Sequence, residues 1–88
     1  MQGPDGNTFF GTYVGSSVWG ANGKDGQIIG DSMFGADGFH ADRTGDMFFA
    51  SDGKNYQLIG DTLHCSDGKI WTGVKSKIDA FMAINSNR

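Results

Sequence analysis

The sequence predicts an all-β domain: a tandem β-hairpin repeat with a 15-residue period, forming an antiparallel meander that is curled or paired, with a short C-terminal helix. Fifteen of the 88 residues are Gly, and all ten acidic residues are Asp, a composition typical of turns rather than helices. Seven Phe, two Trp and two Tyr favour strands. Gly-Asp recurs at residues 30, 45 and 60, and Asp-Gly at residues 37, 52 and 67, which is an internal repeat.

The chain is long enough for one domain, residues 1–88. Four units of the repeat fill residues 15–74, and residues 3–14 form a degenerate half-repeat. Position 4 of each unit is a large apolar residue, and position 5 is aromatic or His. In chain order these residues are Val18-Trp19, Met33-Phe34, Phe48-Phe49 and Leu63-His64.

Each unit is predicted to be one hairpin. Asp-Gly between two apolar runs favours a two-residue type I′ turn, and Gly-Asp at the unit boundary favours a type II′ turn. The alternative is a β-solenoid, in which each unit is one coil and Asp37, Asp52 and Asp67 stack about 4.8 Å apart. Like charges at that spacing need bound cations, so the meander is favoured. Large residues fall on both faces, so the sheet must curl, fold over or pair with another copy.

A short helix is predicted at residues 76–85, after the last unit. Ser76 and Asp79 form a capping pair, and Ile78, Phe81 and Met82 follow helical spacing. We expect this single apolar stripe to dock on an end or a face of the sheet. The last three residues are predicted to fray.

The unit also carries a family resemblance. Residues 58–68, Leu-Ile-Gly-Asp-Thr-Leu-His-Cys-Ser-Asp-Gly, and then residues 45–53 match it best. They resemble the tandem "I-G-N/D-T-x-F-x-S-D-G" repeats of small uncharacterised proteins from bacteria and their phages. The similarity covers residues 15–74 and leaves out the helix. That group has no established activity, so the resemblance implies the repeat and no catalytic residues.

Charge and composition limit the partners. The net charge is −3, with nine Asp against four cations in residues 1–74. An acidic body repels phosphate backbones, which argues against direct nucleic-acid binding, and it suits a basic protein partner. No apolar run is long enough to span a membrane. The N-terminal residues do not resemble a signal peptide and Cys65 is the sole cysteine, so we expect a cytoplasmic protein.

The sequence offers little for catalysis. It contains no phosphate-binding glycine motif and no EF-hand loop, and no cofactor is predicted. The Asp-Gly spacing is similar to calcium-binding β-roll repeats, but their Gly-Gly-x-Gly-x-Asp pattern is missing; calcium binding by an Asp ladder stays an open alternative. His64 and Cys65 are neighbours in a strand, so they point to opposite faces. No Ser-His-Asp arrangement is evident, and we expect no enzyme.

Residues 39–43 break the pattern of the repeat. Phe39 stands where the other units have Lys, and Arg43 stands where units 1 and 3 have an aliphatic residue. His40 and Asp42 share one strand face and could form a pH-sensitive pair, while Phe39, Ala41 and Arg43 share the other. Such a break indicates either a more exposed position in the sheet or a functional contact.

The aromatic residues supply a second candidate surface. Trp19, Phe34 and Phe49 recur in one register, and Tyr56 and Trp71 in another. Such stripes are more often core, but an exposed one would mark an interface. The combined candidate interaction surface is Phe39, His40, Asp42, Arg43, Trp19 and Trp71.

Three functions fit these observations. The favoured one is a non-enzymatic protein-interaction module, such as an inhibitor encoded by a phage or mobile element that occludes a basic surface of a host complex. The second is a self-assembling structural β-repeat protein, which would be a homo-oligomer. The third is a glycan-binding module that uses exposed Trp or Tyr side chains.

Overall fold

Nine strands precede one helix in the computed structural model, which describes residues 2–4, 12–19, 24–35 and 37–87. Each strand pairs antiparallel with the next, in the order β1 to β9, in one sheet. The predicted hairpin meander with a C-terminal helix is therefore confirmed, and the β-solenoid alternative is wrong. Residues 5–11 of the predicted half-repeat lie outside the described residues. The elements are β1 (Thr12–Val14), β2 (Ser17–Trp19), β3 (Asp25–Ile29), β4 (Ser32–Gly35), β5 (His40–Thr44), β6 (Met47–Ala50), β7 (Asn55–Ile59), β8 (Thr62–Cys65), β9 (Ile70–Thr72) and α1 (Lys77–Ser86).

The Gly-Asp turns have the predicted type II′ pattern. Ile29 pairs with Ser32, which leaves Gly30 and Asp31 as a two-residue turn. Gly30 has a φ of +61°, and no residue other than glycine has a positive φ in the part of the chain that the structure describes. A positive φ at the first central residue only is the type II′ arrangement, which matches the twist of the strands. The equivalent glycines of the other three units have nearly the same φ.

The Asp-Gly turns differ from the predicted type I′. In the third unit the Ala50 N–H donates to the Lys54 carbonyl at 3.0 Å, and the Gly53 N–H donates to the Ala50 carbonyl at 3.1 Å. The loop therefore has three residues, with a positive φ at Gly53 alone, as in a type I turn followed by a bulge. Asp52 Oδ1 accepts from the Lys54 N–H at 3.1 Å. This contact, repeated in the next and preceding units, caps each turn from its own aspartate.

The sheet curls around α1. Nine strands in a flat sheet would extend about 38 Å, whereas the molecule measures 28 × 24 × 21 Å. Gln2 forms an isolated bridge to Thr72 beyond the far edge of β9. The curl gives the sheet an inner face toward the helix and an outer face toward solvent.

The inner face is built from alternating positions of the repeat. Residues at positions 4 and 12 of each unit point inward, because directly opposed residues in an antiparallel pair share a face. Gly26, at position 12, lies where β2 and β3 come nearest to α1; an added Cβ there would meet the Met33 sulfur at 3.0 Å. The other buried inner residues at these positions are Val18, Met33, Ala41, Phe48, Tyr56, Leu63 and Trp71.

The helix is buried on more sides than its sequence indicates. Ser76 caps its N-terminus by accepting from the Asp79 N–H, which confirms the predicted capping pair. Residues 80–85 are all buried, so the prediction of a single apolar stripe is wrong, because the curled sheet covers the helix nearly all round. The Phe81 ring meets Phe48 edge-on with centroids 5.2 Å apart. Asn87 is also buried, so the predicted fraying is wrong there.

Candidate interaction surface

His40 and Asp42 lie on the outer face in β5, and both are exposed. His40 Nδ1 is 3.7 Å from Asp42 Oδ2, which matches the shared face that the alternation predicts. Asp42 also accepts a hydrogen bond of 2.6 Å from Ser32 Oγ. The carboxylate is therefore engaged on both sides by groups of its own sheet.

Phe39 and Trp71 do not belong to this surface. Phe39 is 9% exposed and Trp71 is 2% exposed, and both are part of the hydrophobic core. The Trp71 ring packs against Tyr56 with centroids 6.1 Å apart. Both residues occupy even-numbered positions of the repeat, which point toward the helix. Their candidacy as surface residues is therefore wrong.

Arg43 is half-buried and lies near the end of the central strand β5, beside the Gly-Asp turns. Its Nε donates to the Gly45 carbonyl at 3.0 Å, and its terminal nitrogen lies 3.4 Å from Asp31 Oδ1. It occupies the inward position that Ile28 and Leu58 hold in other units. Arg43 thus links two neighbouring Gly-Asp turns.

Position 10 of the repeat is Phe39 in unit 2 but Lys54 and Lys69 in units 3 and 4. These two lysines bind the C-terminal end of the helix. Lys54 Nζ donates to the Asn87 carbonyl at 2.7 Å, and Lys69 Nζ donates to Asn87 Oδ1 at 2.9 Å. Cations are favourable at a helix C-terminus, where carbonyl dipoles converge. At the same position of unit 2, Phe39 adds apolar volume to the core instead. The break in the repeat therefore has a packing reason.

Asn87 also contacts three ionisable side chains, Tyr56, Cys65 and Asp67, whose pKa values differ from their ordinary values in the folded protein. Its Nδ2 donates to Tyr56 Oη at 3.0 Å and to Asp67 Oδ2 at 3.2 Å, and it lies 3.7 Å from Cys65 Sγ. Burial raises the pKa of the Tyr56 phenol and that of the Cys65 thiol. Burial alone would raise the pKa of Asp67, but hydrogen bonds from Cys65, the Lys69 backbone and Asn87 lower it to about 2.

Among the described residues, three exposed aromatic side chains mark the outer face. Trp19 is 42% exposed, Phe34 49% and Phe49 44%, and each holds position 5 of its unit. We call these three residues the outer aromatic row. The second aromatic register, Tyr56 and Trp71, lies in the core instead. Phe34 and Phe49 were absent from the sequence-based site, although their shared register with Trp19 carried the signal.

In the part of the chain that the structure describes, the strands place carboxylates but no Lys or Arg on the outer face. In the nine described strands the only Lys or Arg is Arg43, which points to the inner side. Asp25 and Asp42 are exposed on the outer face. Near the Gly-Asp turns, Lys75 lies 3.8 Å from Asp61, and Lys77 Nζ donates to the Gly30 carbonyl at 2.6 Å. These lysines therefore sit at the rim, beside the turns.

Two grooves lined by described residues cross the outer face at equivalent places in the repeat. The larger, of about 400 Å³, lies over β3 between Trp19 and Phe34. The smaller, of about 230 Å³, lies over β7, two units along the chain. Polar side chains line both. In the larger groove they are Ser17, Asp25 and Gln27, and in the smaller Asn55, Gln57, His64 and Ser66.

Neither a metal centre nor a membrane-spanning helix is found among the described residues. Among residues 2–4, 12–19, 24–35 and 37–87, no three His, Cys, Asp or Glu side chains are grouped as metal ligands. Within the same residues, α1 is too short to cross a membrane, and no other helix is present that could. No family model, curated protein or solved structure matches this chain.

Proposed function

We propose that this protein is a non-enzymatic protein-interaction module that binds its partner through the outer face of the sheet. The observation that carries the proposal is the outer aromatic row, three rings exposed by 42–49% on hydrogen-bonded strands. Aromatic side chains are enriched at the centres of protein interfaces and supply much of their binding energy. Strands hold these side chains in place, so little conformational entropy is lost when a partner binds.

The charge supports a basic partner. The chain has a net charge of −3, and the outer face combines apolar rings with the carboxylates of Asp25 and Asp42. Complementary charge steers encounters and excludes wrong partners. An inhibitor encoded by a phage or mobile element could use such a face to occlude a basic surface of a host complex. A cytoplasmic location is part of the proposal, since Cys65 is a free thiol.

The test compares matched outer-face variants. Phe34→Ser with Phe49→Ser removes two rings of the row, and Ile59→Ser removes an aliphatic side chain, 55% exposed, outside it. Wild type immobilised on resin captures candidates from host lysate. Each candidate is then purified, and its affinity for all variants is measured by titration calorimetry at low and high salt.

We expect a partner whose affinity falls at least tenfold with the double variant, about 1.4 kcal/mol. Ile59→Ser should leave the affinity nearly unchanged, and salt should weaken binding. The proposal fails if nothing is retained above a bare-resin background. It fails equally if every captured protein binds the double variant as tightly as it binds wild type.

The larger groove favours a second candidate function, glycan binding. Its walls are Trp19 and Phe34, and Ser17 and Gln27 add hydrogen-bonding groups beside the rings. Such a combination of apolar walls and a few polar groups is typical of small-molecule sites. Trp emission that stays constant across a glycan panel would rule this function out.

The same exposed rings favour self-assembly as a third candidate. Eight large hydrophobic side chains are at least 42% exposed among the described residues, and apolar patches promote association. Light scattering decides the question, because a stable monomer at high protein concentration would exclude assembly.

A further inference from the structure

We infer that the two histidines of the chain make the outer face sensitive to pH, so that the face attracts a basic partner at neutral pH and loses that attraction in mild acid. This inference rests on the proposed function, because it concerns the regulation of binding at the same face. Three features of the molecule support it: the place of both histidines, the small number of other charges on the face, and the surroundings of each imidazole ring.

Both histidines of the chain lie on the outer face. His40 is directly opposite Phe34 in the neighbouring strand, so its imidazole stands beside a ring of the outer aromatic row. His64 holds position 5 of unit 4, the position that the rings of the row hold in the other units, and it lines the smaller groove. Histidine is the side chain that takes up a proton between neutral and mildly acidic pH. Both imidazoles of the chain therefore gain their charge on the proposed binding face.

The charge of the outer face depends on four side chains. In the described strands, the ionisable residues that point outward are Asp25, His40, Asp42 and His64. Aspartate keeps its charge throughout the pH range in which histidine titrates. Two carboxylates thus give these strands a formal charge of −2 on the outer face at neutral pH, and two protonated imidazoles cancel it. A face without net charge no longer steers a basic partner toward itself.

The strands beside His40 present no charge to it. Among the described residues, none of the outward side chains of β4 and β6 titrates; they are Ser32, Phe34, Met47 and Phe49. Along β5, His40 Nδ1 lies 3.7 Å from Asp42 Oδ2. The turn before β5 adds Asp37, whose carboxylate accepts from the Phe39 N–H at 3.3 Å. A protonated His40 therefore compensates the charge of Asp42, the carboxylate directly opposite Phe49.

The strands beside His64 are neutral as well. Among the described residues, the outward side chains of β7 and β9 are Asn55, Gln57, Ile59, Ile70 and Thr72, and Thr62 points outward along β8 itself. The turn after β8 adds Asp67 and Lys69, which both bond to Asn87 at the end of the helix. A protonated His64 therefore adds a positive charge to the groove over β7, where it repels a basic partner.

Paired nitroxide probes measure the charge of the face locally. Aminomethyl-PROXYL is a cation and carboxy-PROXYL an anion of similar size, and each speeds the NMR relaxation of the protons that it approaches. The ratio of the two effects is measured in dilute salt at about pH 7 and about pH 5.5, on either side of the titration of histidine. The Phe34 ring protons report on His40 and the Ile70 methyl protons on His64, because each is directly opposite its histidine. Val14, which is 66% exposed in β1, is the remote control.

We expect the cation-to-anion ratio to fall roughly threefold at Phe34 and at Ile70 between the two pH values, because one charge added about 8 Å from a probe in dilute salt changes the ratio by about that factor. The ratio at Val14 should stay nearly constant. His40→Asn should abolish the change at Phe34 alone, and His64→Asn the change at Ile70 alone, since asparagine takes up no proton. Unchanged Val14 chemical shifts in both variants show that the fold is intact.

A ratio that stays constant at Phe34 or at Ile70 overturns the inference, and so does an equal fall at Val14. The inference is also overturned if the ratio at Phe34 still falls in His40→Asn, or if the ratio at Ile70 still falls in His64→Asn. Its failure is distinguishable from failure of the proposed function. Capture and calorimetry detect a partner at neutral pH without the nitroxides, and the nitroxides measure the charge of the face without a partner.

Discussion

Replacing Asn87 with alanine should weaken the attachment of the C-terminal end of the helix to the sheet, while the bond from Lys54 Nζ to the backbone carbonyl of residue 87 remains. The Asn87 side chain donates to Tyr56 Oη at 3.0 Å and to Asp67 Oδ2 at 3.2 Å, and it accepts from Lys69 Nζ at 2.9 Å. Asn87→Ala removes these three bonds together with a weaker contact of 3.7 Å to Cys65 Sγ, and it keeps the backbone hydrogen bonds of residue 87 to Ala83 and Ile84. The effect of the side chain is thus separated from that of the helix end itself.

The size of the loss follows from the surroundings of each contact. The buried bond to Tyr56 contributes about 1 kcal/mol, and a further ~1 kcal/mol is lost because the buried phenol has one partner fewer. Asp67 is 26% and Lys69 52% exposed, so solvent screening reduces each of these bonds to about 0.5 kcal/mol. The free energy of unfolding should therefore fall by about 2–3 kcal/mol, which lowers Tm by roughly 10–20 °C in a domain of this size.

Urea unfolding followed by Trp fluorescence measures this loss. Asn55→Ala is the matched control, because Asn55 is exposed on the outer face, and it should change the free energy of unfolding by less than about 0.5 kcal/mol. A thiol reagent gives an independent readout: Cys65, buried beneath the same contacts, should react faster in Asn87→Ala than in wild type.

A loss no larger than that of Asn55→Ala would refute the reasoning. A double-mutant cycle with Tyr56→Phe isolates the shared bond, and we expect a coupling of about 1 kcal/mol. Zero coupling would mean that the contact between Asn87 and Tyr56 adds nothing to stability.

Three further predictions concern pH, the core and a turn. Asp67 has a pKa of about 2 in the folded protein, against an ordinary value of 3.8. Its charge therefore stabilises the fold fully above about pH 5, by about 1 kcal/mol after solvent screening. This stabilisation is lost as the pH falls toward 2. Urea titrations should show that Asp67→Asn removes that part of the pH dependence, and an unchanged profile would contradict it. Phe81→Ala should lower the free energy of unfolding by about 3–5 kcal/mol, because the ring is fully buried; thermal unfolding checks this, and a loss below about 1 kcal/mol would show that the ring is not packed. Gly45→Ala should lower the free energy of unfolding by about 1–2 kcal/mol, since Gly45 has a φ of +60°. Asp46→Ala in the same turn is the control, and equal unfolding midpoints for the two variants would count against a strained backbone.

The features predicted correctly from the sequence are those that depend on near neighbours. A Gly at the first position of a two-residue turn sets the type II′ geometry locally, so Gly30 and its equivalents located the hairpins. The capping pair of Ser76 and Asp79 is likewise local. The Asp-Gly turns were predicted wrongly because each aspartate hydrogen-bonds to the backbone two residues on and keeps a negative φ.

The burial of the helix could not be predicted, because it depends on how strongly the sheet curls. Ile78, Phe81 and Met82 indicated one stripe, yet Ala80 and Asn85 are also fully buried. The inward direction of the Trp71 side chain, by contrast, could have been predicted from the sequence. Positions 11 and 13 of the units are mostly polar around an often apolar position 12, and this alternation indicates that position 12 points inward.

The enclosed position of α1 has a consequence for biosynthesis. The ribosome makes all nine strands before it makes residues 77–86. Hairpins between adjacent strands need only short loop closures and can form as the chain emerges. Their apolar side nevertheless stays open to the surroundings until the helix has left the exit tunnel, so the nascent chain passes through an interval in which chaperones or other chains can bind there.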